Sequence, residues 1–428
     1  HGTLGLLVAG LFFFMLTVPC AHAFRAIWGT KKEVQNQDNS ENAYRNAYSK
    51  NYSGPIEPKK LEVIKVWDKS NVEEIKDMLP PSMYLRVKDW GLVLHEIEHI
   101  PYEHADQLSE ASKKYAGQNA QMDDSGELSS YVAGIPFLTI DPNDPQAGLK
   151  LEHNQDRRYM GDTFWMWNDF FITDASGGQR KLGNTYSRFM FVGRVMDDPK
   201  PAFPEKENPR KLRFGEFAGV TYPFELSGFN TLQLSYIDRT HEDDYWIYLP
   251  SIRRTRRMST AQRYDTFAGT DLCYEDFYMF NGFVSQHTYK FIGKKTMLLS
   301  LHQMYWAPQK KEQLQFSPII VERIPVYIVE QYPKDSKHIY SKRVQYFAEP
   351  LMQVTYQEMY DRKGEMWKSQ HWMWMLDRNR EGFPYLNTPE IIDYQTPHAT
   401  LWGCRHEGYV EGMDQSFFTL ENIRNLAR

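Results

Sequence analysis

The sequence predicts a mainly β protein with flanking helices, its antiparallel sheet curled into a barrel or half-barrel. Three observations carry that expectation. Aromatic residues make up 15% of the chain, with 27 Tyr, 25 Phe and 11 Trp; such side chains favour pleated, half-buried surfaces and also line apolar cavities. From about Thr221 onward, short β-rich runs follow one another with turn residues between them. Asp361-Arg362-Lys363-Gly364 then separates two long runs, Leu351 to Tyr360 and Glu365 to Leu376, as a hairpin turn whose glycine supplies positive φ. Consecutive long hairpins build a sheet that curls.

Taken in order, the elements begin with an export signal. Leu4 to Val18 is almost continuously apolar, and Ala21-His22-Ala23 has the small-x-small pattern of a signal peptidase site. Residues 1–23 therefore read as a signal peptide, and the missing Met and basic n-region suit a truncated N-terminus. A membrane span needs about 20 apolar residues, more than this run holds. Thr17-Val18-Pro19-Cys20 resembles a lipoprotein cleavage box, but Pro19 directly before Cys20 argues against anchoring there. The expected location is a bacterial periplasm. Residues 24–60 are polar and read as a flexible arm, leaving 61–428 as a single domain.

A helix is expected from Ser70, with Glu73 completing a capping box and Pro80-Pro81 ending it. A second, amphipathic helix fits Glu103 to Ala116, with Leu108, Ala111 and Tyr115 on one side, and is the candidate lid. Thr231 to Arg239, Tyr245 to Leu249 and Ile252 to Met258 read as strands. Phe283 to Phe291 and Thr296 to Trp306 read as two more, flanking a turn at Gly293-Lys294-Lys295. Thr419 to Arg428 closes the chain as a short helix.

Several functions are set aside. A formal net charge of −5 gives no global field for nucleic acid. His95-Glu96-Ile97-Glu98-His99 matches the H-E-x-x-H pattern of zinc peptidases, which requires a helix so that both imidazoles reach one Zn²⁺. Pro101 follows too closely, Gly91 to Leu94 favours an extended chain, and a third ligand is missing, with Tyr102 and Ala105 where the longer pattern needs Gly and His. The match reads as chance residues on a strand, and the zinc hydrolase stands as the least favoured alternative. The chain has no G-x-S-x-G elbow, phosphate loop or Rossmann fingerprint, so no catalytic residue is assigned and no cofactor is expected. Cys273 and Cys404 could pair in an oxidising compartment, and without a C-x-x-C or Cys/His cluster no structural metal is expected.

The densest motif runs from Tyr245 to Phe277. On a strand, Arg254 and Arg256 face one way and Arg253 and Arg257 the other. Asp265, Asp271, Glu275 and Asp276 follow and supply carboxylates for bidentate pairs at a barrel rim. The sharper alternative is that the arginines anchor an anionic lipid head group. Apolar side chains able to line a cavity are Trp246, Tyr248, Trp367, Trp372 and Trp374 on strands, with Leu108 and Tyr115 on the lid. Alternation puts Trp372 and Trp374 on one face and Met373 and Met375 on the other.

The block "WIYLPSIRRTRRM…DTFAGTDLCYEDF" resembles the signature of a family of bacterial periplasmic proteins of unknown function labelled outer-membrane lipoprotein-sorting-like, within the LolA/LolB-like superfamily. "LPPSMYLRVKDWG", "ASKKYAGQ" and "LSSYVAGIPFLTIDPNDPQAGLKLEHN" look like the same family, so the resemblance spans about residues 62 to 420. Leu138 departs from it, standing where proline is expected. The resemblance implies an incomplete antiparallel β-barrel closed by helices, holding acyl chains or lipoproteins in an apolar cavity. It also implies company with a resistance-nodulation-division-type transporter or an outer-membrane β-barrel. The expected function is carriage of a hydrophobic ligand (lipid, acyl chain or sterol-like) through the periplasm. The alternative is an adaptor subunit of an export complex without its own ligand.

Overall fold

The computed structural model describes residues 61–303, 314–376, 384–386, 388–407 and 414–427. The expected signal peptide and arm lie outside the described residues. The strands are β1 (Val63–Trp67), β2 (Leu94–Ile97), β3 (Thr163–Asp174), β4 (Gln179–Met190), β5 (Leu212–Tyr222), β6 (Asn230–Tyr236), β7 (Asp244–Leu249), β8 (Arg254–Arg257), β9 (His287–Leu299), β10 (Ile319–Pro333), β11 (Lys342–Ala348), β12 (Gln353–Tyr360), β13 (Met366–His371), β14 (Trp374–Leu376), β15 (Pro384–Leu386), β16 (Glu390–Asp393) and β17 (His398–Glu407). The α-helices are α1 (Pro81–Asp89), α2 (Asp106–Asn119), α3 (Ala147–Asp156) and α4 (Leu420–Asn425).

Among the described residues, fifteen strands form one open sheet in the order β1-β2-β10-β11-β12-β13-β16-β17-β3-β4-β5-β6-β7-β8, with β9 on β10. The sheet does not close, in keeping with the expected incomplete barrel. Nearly every pairing is antiparallel, the exception being β2 on the start of β10. The fifteen-residue β10 holds the plan together: β9 lies along one side, while β2 and then β11 share the other.

Each face has its own cover. On the face of Val329, Gln345 and Gln357, here the inner face, α3 and residues 260–286 lie across the strands; Gly148 of α3 is close enough that an added Cβ would sit 3.2 Å from Val329 Cγ1. On the outer face α1 packs against β12, where Ser82 donates to Glu358 from both its amide (2.7 Å) and its hydroxyl (2.6 Å). Farther along the outer face, Phe417, Phe418 and Ile423 of the C-terminal segment cover Leu232 and Tyr248. α2 packs Leu108, Ala111 and Tyr115 against Ala133, Tyr159 and Val195 in a separate cluster, so α3 rather than α2 is the helix over the inner face.

One local reading is refined and two are corrected. The helix that stops before Pro80-Pro81 is a 3-10 helix, Val72–Met78, ending in an extended Leu79 as the following proline requires, and Pro81 then starts α1, where its fixed φ and missing N–H suit the first position. Glu73 caps no helix and instead accepts from Tyr84 and Lys88. Gly293 is not a turn. β9 runs through it, and the register slips by one residue at Ile292, a bulge that glycine eases. By contrast Asp361–Gly364 is the expected hairpin turn, with Gly364 at φ 83 and Asp361 Oδ1 accepting from Lys363 and Glu365 amides. Thr419 caps α4 by accepting from Asn422 N–H.

Candidate functional site on the inner face

Between β8 and β9 the chain makes four short 3-10 turns: Thr260–Tyr264, Phe267–Gly269, Tyr274–Met279 and Val284–Gln286. Ala268, Tyr278 and Met279 have positive φ (46, 56 and 71), a conformation that side-chain-bearing residues adopt only when their surroundings hold it. Irregular backbone buried this deeply leaves carbonyls that need partners. The covering helix and the strands supply them. Gln155 Nε2 donates to Tyr278 O (2.6 Å), Gln357 Nε2 to Met279 O (2.7 Å), Gln370 Nε2 to Asp276 O (3.1 Å) and Lys368 Nζ to Asp271 O (2.7 Å). Polar side chains on buried strand faces thus have a specific task here: they replace the ladder this segment lacks.

A buried ionic cluster fastens the same segment. Arg343 on β11 donates to Glu275 Oε1 (2.8 Å), Asp276 Oδ1 (3.2 Å) and Gln331 (2.9 Å). Tyr340 N–H donates to His338 Nδ1 at 3.0 Å, which leaves the His338 proton on Nε2, 2.8 Å from Glu275 Oε1. Tyr340 Oη–H donates to Asp276 Oδ2 at 2.8 Å. Burial pushes the Glu275 carboxyl upward, but Arg343, the His338 hydrogen bond and Arg263 outweigh it and hold the group well below its ordinary range. Burial also lowers His287 to about 4, so it is neutral near pH 7. Glu275, His287 and His338 each offer a ligand atom within 4.8 Å of the others, a set of the type that binds transition metals. The Arg343 and Arg263 guanidiniums already face the Glu275 and Asp276 carboxylates, so the group reads as an ion-pair network.

The apolar half of the segment faces β4 to β7. Phe267 meets Phe170, Phe229 and Phe277 with ring centroids 5.7 to 6.4 Å apart. Tyr278 meets Tyr186 at 5.7 Å and Trp372 at 5.4 Å, and the Arg158 and Arg188 guanidiniums lie over its ring at 4.2 and 4.5 Å. A cavity of about 20 Å³ opens here between Tyr186, Tyr245, Phe267, Tyr274 and Phe277, with Glu216, Thr231 and Gln233 among its polar groups. That volume suits an ordered water. An acyl chain needs space on the order of several hundred Å³, so a guest would enter this cavity only if the segment gives way.

The expected site residues are dispersed. Trp372 and Trp374 are buried in the main core with rings 5.6 Å apart, and Met373 and Met375 are buried as well, so both sets pack. Trp367 is half-buried and donates to Asp393. Trp246 and Tyr248 belong to the outer-face cluster under α4, away from the cavity, while Leu108 and Tyr115 sit with α2. The seven fall in three clusters. The expected rim pairs between arginines and following carboxylates are not formed. Arg253, Arg254, Arg256 and Arg257 are exposed, and Arg257 pairs with Asp244. Asp265 is exposed, Asp271 pairs with His398 and Thr400, and Glu275 and Asp276 take Arg343. Tyr245, Gln233 and Glu216 were missed because Trp246 and Tyr248 were expected to face the cavity, and strand alternation turns Tyr245 to the opposite face from them. Cys273 and Cys404 are both buried and unbonded.

His95, Glu96 and Ile97 of the H-E-x-x-H stretch lie on β2, and Glu98 and His99 follow its end. Glu96 accepts from Trp67 Nε1 (2.6 Å) and Arg323 Nε (2.6 Å), while His99 pairs with Glu322. Extended backbone keeps the two imidazoles from sharing a helical face.

No curated protein matches the sequence. Among solved structures, a DUF1329 family protein from Desulfovibrio piger aligns at 18% identity and TM-score 0.49, over 66% of this chain and all of that one. A domain described as outer membrane lipoprotein-sorting, from Vibrio parahaemolyticus, aligns at 16% identity and TM-score 0.47, again over 66% of this chain and all of that one. A LolA superfamily protein from Nitrosomonas europaea aligns at 14% identity and TM-score 0.40, over 63% of this chain and 96% of that one. The profile of a family described as protein of unknown function (DUF1329) matches residues 66–424. This chain belongs to the DUF1329 family.

Proposed function

We propose that the protein is a periplasmic carrier or chaperone for a hydrophobic ligand (lipid, lipoprotein acyl chain or sterol-like molecule), described here in its closed form. The observation that carries this reading is the cover on the inner face. Residues 267–279 place Phe267, Tyr274, Phe277 and Tyr278 there with little regular pairing, held by side-chain hydrogen bonds and buried ion pairs. A guest's apolar surface would replace these rings. Each buried CH₂ stabilises by about 0.8 kcal/mol, so a chain of ordinary length offsets much of the cost of moving the segment. No described helix is long and apolar enough to cross a membrane. The expected partners are a resistance-nodulation-division-type transporter or an outer-membrane β-barrel at either end of the route.

Native mass spectrometry of protein purified from membranes tests the proposal. A co-purifying lipid, and uptake of fatty-acyl probes by delipidated protein, are expected; a protein that is empty and refuses acyl and sterol probes overturns it. The small cavity favours the second reading, an adaptor with no ligand of its own. An adaptor would hold its partner in a pulldown with no lipid present.

A further inference from the structure

The free end of the sheet carries charge and apolar surface that the carrier reading does not use. In β6 and β7, Asn230 pairs with Tyr248, and in β7 and β8, Leu249 pairs with Arg254. The β5–β6 connection and the β7–β8 turn therefore leave the sheet at the same end, on neighbouring strands. α4 ties them together: Asn230 Nδ2 donates to Ile423 O (2.9 Å), and Arg424 Nε donates to Thr255 Oγ1 (3.0 Å). At these tips Phe224 is 89% exposed, Tyr222 53% and Ile252 47%. Single exposed apolar residues are ordinary, but here three stand at the tips of one end of the sheet.

Beside them β8 presents an arginine run. All four arginines from 253 to 257 are exposed, and among the described residues no carboxylate pairs with Arg253, Arg254 or Arg256. Glu225 and Glu421 are the acidic residues of the tips and of α4. β8 is also the last strand of the sheet at this end. Strand ends with short apolar tips backed by unneutralised guanidiniums match the layering of a bilayer surface, with acyl chains below a plane of phosphates.

We infer that this end of the sheet docks on an anionic phospholipid bilayer, with Phe224, Tyr222 and Ile252 entering the acyl boundary and Arg253, Arg254 and Arg256 taking the phosphates. The inference does not depend on what the inner face carries. Flotation of the full chain with vesicles tests it, comparing phosphatidylglycerol–phosphatidylethanolamine with phosphatidylcholine. Binding to the anionic vesicles that weakens with salt is expected. Each arginine near such a surface contributes about fivefold in affinity, so R253S/R254S/R256S together should weaken binding about a hundredfold. F224S/I252S should weaken it about tenfold or more at any salt concentration. These positions are exposed, so both variants should melt with the parent and a folding failure would show. Equal binding to both vesicle types, parental binding by the triple variant, or no binding by the parent each overturns the inference.

Discussion

Arg343 and Glu275 lie 68 residues apart in the chain, and the guanidinium of one donates to the carboxylate of the other at 2.8 Å with both side chains 1% exposed. Because β11 is fixed in the sheet by pairing on both edges, this bond transfers the sheet's rigidity to a segment with little regular pairing of its own. Removing one partner leaves a buried charge uncompensated. R343M is expected to destabilise by about 3–5 kcal/mol in urea unfolding, whereas R343M/E275Q should recover a good part of that loss. If the double variant is no better than the single, the ion pair is not what anchors the segment.

Glu152 on α3 gives a pH signature. Burial raises its carboxyl to about 8, against an opposing pull from Arg343. Between its ordinary value of 4.5 and about 8, the folded chain keeps a proton that the unfolded chain has lost. Fewer protons on the unfolded state mean that stability falls as pH rises through this window. The contribution is complete below the lower value and lost above the upper one, at a slope of about 1.4 kcal/mol per pH unit. E152Q should remove that part of the slope and be the more stable protein at the alkaline end. Urea midpoints of both proteins across the window check it; parallel curves would refute the assignment.

The parts of this fold that the sequence displays are those with local signals. Asp361–Gly364 reads as a turn because an Asp side chain and a glycine do the work within five residues. Thr419 caps α4 for the same kind of reason. β3, β4 and β5 are hard to read because most of each strand is buried on both faces, which blurs the alternation that betrays a strand. Gly293 misled because bulges and turns use the same residue. The inner-face site was the hardest to see. Arg343 with Glu275, and Gln357 with Met279, are brought together by sheet register and by a segment with no period, and neither leaves a trace in spacing.

Glu96 has a structural assignment that opposes the zinc-hydrolase alternative. It accepts from Trp67 and pairs with Arg323, whose half-exposed side chain limits the worth of the pair. E96Q keeps an acceptor for Trp67 and loses the ion pair, so it should cost about 1 kcal/mol in thermal or urea unfolding. Metal analysis of parent and variant should read alike and far below one zinc per chain. Stoichiometric zinc in the parent, retained in E96Q and lost in H95A, would reverse the reading of β2.

Phe267 joins stability to the proposed function. Its ring is buried, packs against Phe170, Phe229 and Phe277, and forms part of the wall of the small cavity. F267A removes that wall, and truncation of a buried phenylalanine costs about 3–5 kcal/mol through lost transfer energy and the space left behind. If residues 267–279 occupy a ligand's place, the same change opens room for the ligand and weakens its competitor. F267A should therefore bind a fluorescent fatty-acyl probe more tightly than the parent, and the probe should restore part of the lost stability by mass action. Probe titration with thermal melts at several probe concentrations checks both effects. A destabilised F267A that takes up no more probe than the parent, with a melting point the probe does not raise, would make Phe267 a core residue alone and turn the argument toward an adaptor.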